Sequence, residues 1–416
     1  MKSGEFSKKY GISRDTLRYY VSKGLLLPDC SAPQMNFTKR ECRDMEYIQE
    51  LQKMRFSIKE IHRFLAMKRQ SNLIEPDILE EHENLFLQKK AALQETIQEL
   101  THSVELIDQT MQSSRHPPKS TKHWIGLPLS ALPYLCCPVC RRRLKIENAE
   151  ILDNYISTGK LSCICGGYHA NIEDGIIKTS NQYTGTSDSP DLNRNAYRMM
   201  DKSVFSCIQK CLDNVQRPLY TIDLSGKVIM EAHVNGYFFL YSHFSELPND
   251  ALYIIVDRYP ETLEMYKRLI ETLDIKLNIL FLADNSMNYP LRPNCVDYHI
   301  NFLSDNEHML YFENTFALDC APFDAPNAVI LGCYWGYPEN SRTLRNLKVK
   351  YPEASSQLHS IIKFKHDYQK AGYRLDLKKI DCVIPPKTEK YIFSCQYGDD
   401  PLTIYSFMAV RGRTLD

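Results

Sequence analysis

The chain has 416 residues, enough for two or three domains, and 43% of them are hydrophobic, which excludes a protein that is disordered throughout. The formal net charge is zero, yet the first 70 residues hold fifteen Lys and Arg against eight Asp and Glu, so a head of charge +7 precedes a remainder of −7. Taken alone, this count is explained more simply by a solvated basic surface, and contact with a polyanion is favoured only when the charge is combined with the motif described below.

The sequence carries no signal for a membrane or for export. No apolar run approaches the roughly 20 residues that a membrane span needs, and the start MKSGEFSKK lacks the apolar region of a signal peptide. We therefore expect a cytoplasmic protein that does not contact a membrane. Its fourteen cysteines are then expected to be reduced thiols.

Two short helices joined by a tight turn are predicted at the start of the chain. Residues 3–10 carry a helical pattern, and Gly11 allows the turn. Ser13 can cap a second helix by accepting a hydrogen bond from one of its first free N–H groups. This order is typical of a helix-turn-helix, whose second helix enters the major groove of DNA.

The second helix has a face that suits nucleic acid. Arg14 and Arg18 lie four residues apart and share this face. Thr16 and Tyr19 flank it with hydroxyls that suit phosphate contacts. Residue types and spacing therefore predict a recognition helix.

A longer resemblance extends this motif. The stretch ISRDTLRYYVSKGLL and the run NFTKRECRDMEYIQELQKMRFSIKEIHRFL resemble the MerR family of bacterial transcription regulators. The resemblance implies an all-α winged helix-turn-helix over residues 1–74, which binds double-stranded promoter DNA as a homodimer and acts on RNA polymerase indirectly. In the wing, Gln34 and Met35 stand where the family commonly has Tyr and Arg. The residues expected to contact DNA are Ser13, Arg14, Thr16, Arg18, Tyr19, Lys23, Asn36, Lys39 and Arg40.

A long helix is predicted over residues 75–116, and a linker over residues 117–131. The apolar heptad positions are Leu79, Phe86, Leu93, Leu100 and Ile107 in one register, and Ile97, Val104 and Met111 in the other. Such a seam predicts a coiled coil that pairs two copies of the chain, although packing within its own chain is the alternative. Two heads held about 34 Å apart could read a pseudo-palindrome.

Four cysteines within residues 132–180 have the spacing of metal ligands. Cys137 and Cys140 form a CxxC pair, and Cys163 and Cys165 follow in the motif CICGG. Thiolates are soft ligands, and four of them satisfy the tetrahedral preference of zinc. The sequence therefore predicts a small β zinc ribbon that holds a structural zinc ion.

The ligand set has open alternatives. Because CxC is less usual than CxxC, His169 or Cys136 could replace one of the four, and a redox pair or plain core cysteines would also explain the thiols. The ending LSCICGGYHANIEDGIIKT resembles the small zinc ribbons found beside S-adenosylmethionine-dependent methyltransferases.

An α/β domain is predicted over residues 195–416, after a turn-rich linker at 181–194. Helical patterns such as 260–273 and 355–370 alternate with apolar β-type runs, which indicates a largely parallel sheet covered by helices. The runs are 220–224, 228–232, 252–256, 277–283, 296–300 and 328–333, and a final antiparallel pair is expected from 390–396 and 402–410.

This order resembles a class I S-adenosylmethionine methyltransferase domain, which is Rossmann-like. The positions that the resemblance implies for the cofactor are Glu231 at the end of the first strand, Gly236 in the cofactor loop, Asp257 at the ribose and Asp284 beside the adenine. The loop holds only one glycine, which argues against tight binding of S-adenosylmethionine. The two aspartates could equally be solvated acids, and His233 a structural residue. No catalytic residue can be assigned.

The predicted function is that of a homodimeric, sequence-specific regulator of transcription. Its degenerate methyltransferase-like domain would sense an effector or have a structural role. The alternative is a methyltransferase that uses S-adenosylmethionine on a small molecule or RNA and carries an autoregulatory DNA-binding head. The fold by itself does not decide between the two.

Overall fold

The computed structural model describes residues 1–29, 35–71, 75–115, 123–194, 198, 200–273, 275–388 and 391–412. The chain divides into two compact units, Met1–Pro118 and Lys119–Asp416. Within the described ranges, no helix combines the length and the apolar character needed to cross a membrane. The predicted multidomain class, with a helical head, a long helix and an α/β body, is confirmed.

The described part of the smaller unit is helical. Its helices are α1 (Ser3–Tyr10), α2 (Arg14–Ser22), α3 (Lys39–Lys53), α4 (Ile58–Ser71) and α5 (Pro76–Arg115). Gly11 makes the turn after α1 at φ +65°, a left-handed conformation that glycine adopts without strain. Thr38 and Glu41 form a capping box that starts α3. Local residues therefore set where these helices begin.

The head has an aromatic core. Phe6 stacks on Phe37 with ring centroids 4.4 Å apart, and both side chains are buried. Between α2 and α3 the described residues form only an isolated bridge between Asp29 and Asn36 rather than a strand pair. Residues 30–34, which include Gln34 of the predicted wing, lie outside the described residues.

Helix α5 has 40 residues and is about 60 Å long at about 1.5 Å per residue. Its first turns pack on the head, where the Phe86 ring lies 5.3 Å from Phe56 and 4.9 Å from Phe64. Its later turns leave apolar side chains 44% to 61% exposed, namely Ile97, Leu100, Val104, Ile107 and Met111. In the first half of the predicted seam Phe86 thus packs within the chain while Leu79 stays 44% exposed, and the second half is uncovered in a single copy.

Twelve strands of the described residues form one sheet that organises the larger unit. Its strands are β1 (Leu127–Pro128), β2 (Lys145–Leu152), β3 (Tyr155–Ser162), β4 (His169–Glu173), β5 (Ile176–Lys178), β6 (Val228–Ala232), β7 (Leu252–Asp257), β8 (Asn278–Ala283), β9 (Val296–Phe302), β10 (Asp324–Gly336), β11 (Tyr373–Val383) and β12 (Leu402–Arg411). Their order is β1-β3-β4-β5-β8-β7-β6-β9-β10-β12-β11, with β2 beside β3.

The middle of this sheet is parallel and has Rossmann order. Strands β5, β8, β7, β6, β9 and β10 run in one direction, and β12 is antiparallel to both of its neighbours. The order β8-β7-β6-β9-β10 corresponds to 3-2-1-4-5, so the sheet reverses its order between β6 and β9. This mixed sheet resembles the class I methyltransferase fold predicted from the sequence.

Different structures cover the two faces of the sheet. The helices described in this unit include α6 (Lys202–Thr221), α7 (Pro260–Ile270), α8 (Ser304–His308), α9 (Phe316–Cys320), α10 (Arg342–Lys350) and α11 (Ile361–Lys370). Side chains alternate along each strand. Ile229 and Phe281 share a hydrophobic core with residues of α6 and α7, whereas Met230 and Leu280 share the other core with Cys137 of the ribbon.

The predicted ribbon belongs to this sheet rather than to a separate module. β5 pairs in parallel with β8 and sets Ile177 opposite Leu282. The predicted linker at 181–194 therefore does not separate two sheets. The ribbon takes the place of a covering helix on one face.

Two predicted strands are wrong. The sequence predicts a strand at residues 220–224, but α6 continues to Thr221. The segment is helical because apolar residues three or four positions apart bury one whole face of α6. Tyr391–Cys395 is a 3₁₀ helix, so the antiparallel partner of β12 is β11 rather than 390–396. β11 exposes many of its polar side chains, as an edge strand does, and lacks the apolar run that marks a buried strand.

Candidate functional site

The recognition helix α2 is fixed by its cap and by its buried face. The Ser13 hydroxyl accepts the N–H of Thr16 at 2.9 Å. Leu17 and Tyr20 are buried in the head. The exposed side chains on this helix include Arg14, Arg18 and Tyr19. The residues predicted to contact DNA are therefore held on a rigid element and face solvent.

The cations on this helix are held only weakly. The Arg18 guanidinium lies 3.5 Å from the Asp15 carboxylate, and both side chains are largely exposed. The Lys23 ammonium lies 5.7 Å from the centroid of the Tyr19 ring. Exposed pairs of this kind contribute little stability. Arg18 can therefore exchange Asp15 for a phosphate or a base.

Three predicted contacts lie outside the recognition helix. Asn36, Lys39 and Arg40 are exposed at and just before the start of α3. The Asn36 side chain accepts a hydrogen bond from the amino group of Met1 at 3.0 Å. Lys39 and Arg40 occupy the first turn of α3, beyond the cap formed by Thr38.

The four predicted cysteines come together. The Sγ atoms of Cys137, Cys140, Cys163 and Cys165 all lie within 4.8 Å of one another. The Cys140–Cys163 and Cys137–Cys165 pairs are 3.4 and 3.7 Å apart. Four thiolates about 2.3 Å from one zinc ion would be about 3.8 Å apart. The cluster could therefore hold a tetrahedral metal ion.

The contacts of the four clustered cysteines differ from those of the nearby Cys136 and His169. A hydrogen bond from the backbone N–H of Arg142, and next the Cys163 thiol, lower the pKa of Cys140 to about 7, whereas the backbone N–H of Cys165 lowers the pKa of Cys163 but burial and the neighbouring thiols outweigh it and raise that pKa to about 12. The Cys136 thiol instead donates to the Leu291 carbonyl at 3.1 Å. In the described chain the cluster includes neither Cys136 nor His169.

Glu231 ends β6 and is fully buried. Its two carboxylate oxygens accept the backbone N–H groups of Phe239 and Leu240 at 2.7 and 2.9 Å. Burial raises the pKa of Glu231 to about 8. Gly236, in the loop after β6, closes a turn by donating its N–H to the His233 carbonyl at 3.3 Å. Glu231 thus ties down the following loop rather than facing a ligand.

The two predicted aspartates are also bonded within the chain. Asp257 accepts the backbone N–H groups of Asn235 and Tyr259 at 2.7 and 2.9 Å, one on each oxygen. Burial raises the pKa of Asp257 to about 6. Asp284 accepts the Thr179 hydroxyl at 2.6 Å and is buried. Both acids therefore lie where sequence analysis expected, at strand ends, but neither is a solvated acid.

A chain of buried polar side chains spans the strand ends at the point where the sheet order reverses. Arg258 pairs with Glu307 at 2.8 Å and lies 3.4 Å from Nδ1 of His233. Nε2 of His233 lies 3.1 Å from Nδ1 of His308, whose Nε2 lies 2.9 Å from Asp319. Burial, followed by the charge of Arg258 and by His308, lowers the pKa of His233, which keeps it neutral.

S-adenosylmethionine does not fit this arrangement. A cofactor at the reversal point of the sheet would need its loop open and the acid after the second strand free to bind the ribose. Each oxygen of Asp257 already accepts a backbone N–H, and the buried side chains of Arg258 and His233 lie 3.4 Å apart at the same strand ends. The cofactor roles predicted for Glu231, Gly236, Asp257 and Asp284 therefore find no support in this geometry.

A second buried cluster was not predicted. Nε2 of His299 pairs with Asp324 and lies 3.8 Å from the Cys320 thiol. Tyr373 donates to the second oxygen of Asp324 at 2.6 Å. One imidazole nitrogen faces both the thiol and the acid, so these contacts form a structural hydrogen-bond network that links β9, β10 and β11.

Comparison with known proteins identifies the head. Residues 1–68 match the model for the MerR HTH family regulatory protein. Residues 1–68 are a MerR-family domain. The solved structure of HiNmlR, described as a MerR family regulator lacking the sensor domain and bound to promoter DNA, is 26% identical over 27% of this chain and 89% of that chain, with a TM-score of 0.22. No curated protein matches the chain.

Solved methyltransferases resemble the larger unit at low identity. Phosphoethanolamine N-methyltransferase 2 of Haemonchus contortus is 13% identical over 49% of this chain and 52% of that chain, with a TM-score of 0.37. A SAM-dependent methyltransferase from Aquifex aeolicus is 14% identical over 52% and 98%, with a TM-score of 0.33. The chain spans about half the length of the Haemonchus enzyme. Similarity of this degree gives no information on cofactor or substrate.

The structure shows where each group of predicted site residues lies. The MerR domain is confirmed, and its predicted recognition residues lie on the exposed face of α2 or at the start of α3. The four cysteines meet at one point. Arg258 and His308 were missed, because their roles depend on partners tens of residues away that no local pattern marks.

Proposed function

We propose that the chain is a homodimeric regulator of transcription, in which the MerR domain binds promoter DNA and the methyltransferase-like unit senses a ligand. The exposed basic face of α2 within a MerR domain carries the proposal. The internal bonding of Glu231, Asp257 and Asp284 favours a sensor over an enzyme, since the acids that would hold a methyl donor are engaged.

Sequence recognition would combine charge with geometry. The basic head supplies the attraction to the phosphate backbone, which positions the domain without reading sequence. Arg18 projects from the middle of α2 and offers two parallel donors, the geometry that reads a guanine. The family resemblance also implies that the regulator underwinds promoter DNA, so part of its specificity would come from the deformability of the duplex.

Dimerisation would use the second half of α5. The stripe from Ile97 to Met111 exposes apolar side chains at heptad spacing, and a second copy of the helix would remove them from water. The first half of the helix is already occupied by the head through Phe86. The proposed partner surface is therefore the stripe 97–111 rather than all of 75–116.

Zinc would have a structural role. Four thiolates complete the tetrahedral coordination of zinc and leave no position open for water or substrate. Cys137 and Cys163 belong to the core that covers one face of the sheet. A metal ion at the cluster would therefore hold this covering layer in place.

The recognition role is tested by Arg18→Ala. We expect this variant to bind DNA from upstream of its own gene about 1–3 kcal/mol more weakly than wild type, because a base contact is lost. The measurement is a gel shift at fixed salt, together with the salt dependence of affinity. Loss of a base contact should leave the salt slope nearly unchanged, whereas loss of a phosphate contact should reduce it by about one.

Arg268→Ala is a matched control. Arg268 is as exposed as Arg18, at 75% of its side chain, and also pairs weakly with an acid on its own helix. It lies in the larger unit, so its removal should leave DNA affinity unchanged. Equal affinities for wild type and both variants would reject the recognition role of Arg18.

A further inference from the structure

A strap made by residues 181–194 crosses the ends of the strands. The Asp191 N–H donates to the Asn235 side chain at 2.9 Å, and the Arg194 guanidinium donates to the Asn235 carbonyl at 3.1 Å. Asp188 accepts the Tyr311 hydroxyl at 3.1 Å. These polar contacts hold the strap on the loop after β6, and the ring of Tyr183, itself part of the strap, packs edge-on against the rings of Tyr259 and Tyr311.

Beneath the strap lies the fully buried side chain of Arg258. Its Nη2 pairs with Glu307 at 2.8 Å, and its guanidinium carbon lies 3.7 Å from the centroid of the Tyr311 ring. The rings of Tyr183 and Tyr259 lie 5.9 and 5.7 Å from the same carbon. Three tyrosines therefore surround a cation of which only one nitrogen is paired with an acid.

Several donors around this cation have no protein partner. Among the described residues, the buried atoms without one include Nε and Nη1 of Arg258, the hydroxyls of Tyr183 and Tyr259, and Nδ2 of Asn235. Each can donate a hydrogen bond, and a buried donor left unpaired costs free energy. Such a concentration of donors at the reversal point of a Rossmann-like sheet, where ligands bind, suggests a ligand that supplies acceptors.

The charge of the strap indicates what kind of acceptor this would be. The Asp188 carboxylate accepts the hydroxyl of Tyr311. If the strap opened, this carboxylate would move away together with the strap. The other nearby acids are already bonded, Glu307 to Arg258 and Asp257 to two backbone N–H groups. An anionic group on a ligand could therefore replace the Asp188 carboxylate and reach the unpaired donors of Arg258.

We propose that Arg258 and the tyrosines beneath the strap 181–194 form the binding site of a small anionic ligand, which enters when the strap opens and whose carboxylate or phosphate group displaces Asp188 and is held by Arg258, Tyr259 and Tyr311. This inference deepens the proposed function by naming the class of effector that the larger unit senses. It also departs from the sequence resemblance, since the ligand is an anion recognised by a buried arginine rather than S-adenosylmethionine held by acids.

Two substitutions with opposite effects test the site. Tyr259→Phe removes an unpaired donor and should weaken anion binding about tenfold, because a hydrogen bond to a charged group is lost. Asp188→Asn removes the competing charge of the strap and should strengthen anion binding, because the open state becomes easier to reach. Tyr397→Phe removes a hydroxyl from an exposed tyrosine and serves as the matched control.

The probes are inorganic phosphate and succinate, each at millimolar concentration and constant ionic strength, with the full chain and no DNA. The readouts are the rise in melting temperature and hydrogen exchange of the strap. We expect both anions to stabilise wild type and the control, with a smaller rise in Tyr259→Phe and faster exchange of the strap in Asp188→Asn. A rise of equal size in all four proteins would be a general salt effect and would overturn the site.

S-adenosylmethionine is the third probe. Stabilisation by S-adenosylmethionine alone, with no response to either anion, would overturn the anion site in favour of the cofactor implied by the sequence. The anion site and the proposed regulatory function can fail independently of each other. Chains that bind promoter DNA but ignore both anions would refute only the site, whereas chains that bind anions but no DNA would refute only the regulator.

Discussion

Adjacent residues of one type can have different roles when their hydrogen-bond partners differ. Cys136 and Cys137 follow each other in the chain, but the Cys136 thiol donates to the Leu291 carbonyl, whereas the Cys137 thiol faces Cys165 at 3.7 Å. Burial also raises the pKa of Cys136, which disfavours the thiolate. The pair therefore provides an internal comparison for the metal site.

At the residue scale we predict that Cys140→Ser abolishes tight zinc binding while Cys136→Ser preserves it. A serine hydroxyl is a harder and far less acidic ligand than a thiol, so the variant at 140 should fall from about one zinc per chain to nearly none. The measurement is metal analysis of the purified proteins. Zinc retained at 140 and lost at 136 would reassign the ligand set to include Cys136.

The burial of Arg258 could not be predicted from the sequence around it. Asp257 was marked in advance by its position at the end of an apolar run. Arg258 follows it directly and would be expected in water, yet it is fully buried because Glu307, 49 residues later, and the ring of Tyr311 receive it. The contacts that offset the cost of burying this charge form only in the tertiary structure, so no local sequence pattern indicates them.

At the scale of elements, the two halves of the long helix α5 differ in how far their side chains are buried. Its first turns complete the core of the MerR domain, and its later turns expose the stripe 97–111. Most of the stability of a helix in a protein comes from the packing of its apolar face, and the later turns of α5 lack such packing in a single copy. Dimerisation would thus stabilise the later turns of α5 as well as set the distance between the two recognition helices.

We predict that Leu100→Lys combined with Val104→Lys produces a monomer. Each substitution places a charge in the seam and removes about 1.5–3 kcal/mol of apolar burial from each chain, so the dimer should weaken by roughly a hundredfold or more. The measurement is sedimentation at micromolar concentration. Leu87→Lys is the control, since Leu87 is 61% exposed like Leu100 but lies outside the seam. A dimer that persists in the double variant would contradict the assignment.

Elements with strong local signals were predictable. Gly11 and Ser13 set the limits of the first two helices, and the apolar runs found the parallel strands from β6 to β10. The edge strand β11 was missed because it alternates polar residues and pairs with β12 alone among the described strands. The parallel pairing of β5 with β8 was missed too, since pairing over such sequence distances is decided by packing rather than by either segment.

At the scale of the whole molecule, the two units should respond differently to loss of metal. The cysteine cluster lies in unit Lys119–Asp416, and the ribbon strands continue the central sheet of that unit. Removing a metal ion from the cluster would therefore loosen one whole face of the sheet. The smaller unit has its own core and contains none of the four cysteines.

We predict that a zinc chelator lowers the melting temperature of the larger unit by roughly 5 °C or more and leaves DNA binding intact. Tryptophan fluorescence reports on this unit alone, because the two tryptophans of the chain, Trp124 and Trp335, both lie in it. Restoring zinc should restore the transition. An unchanged fluorescence melt, or DNA binding lost along with the metal, would contradict the assignment of the metal to one unit.

The position of β12 has a consequence for synthesis of the chain on the ribosome. β12 is made after β10 and β11, yet it lies between them and bridges them. Until residues 402–411 emerge, β11 lacks the one neighbour that it has among the described strands and the edge of β10 stays open, so the larger unit can close only after β12 has been made. The MerR domain ends at residue 68 and can fold long before that point. The head can therefore be folded on the ribosome while the larger unit is still incomplete.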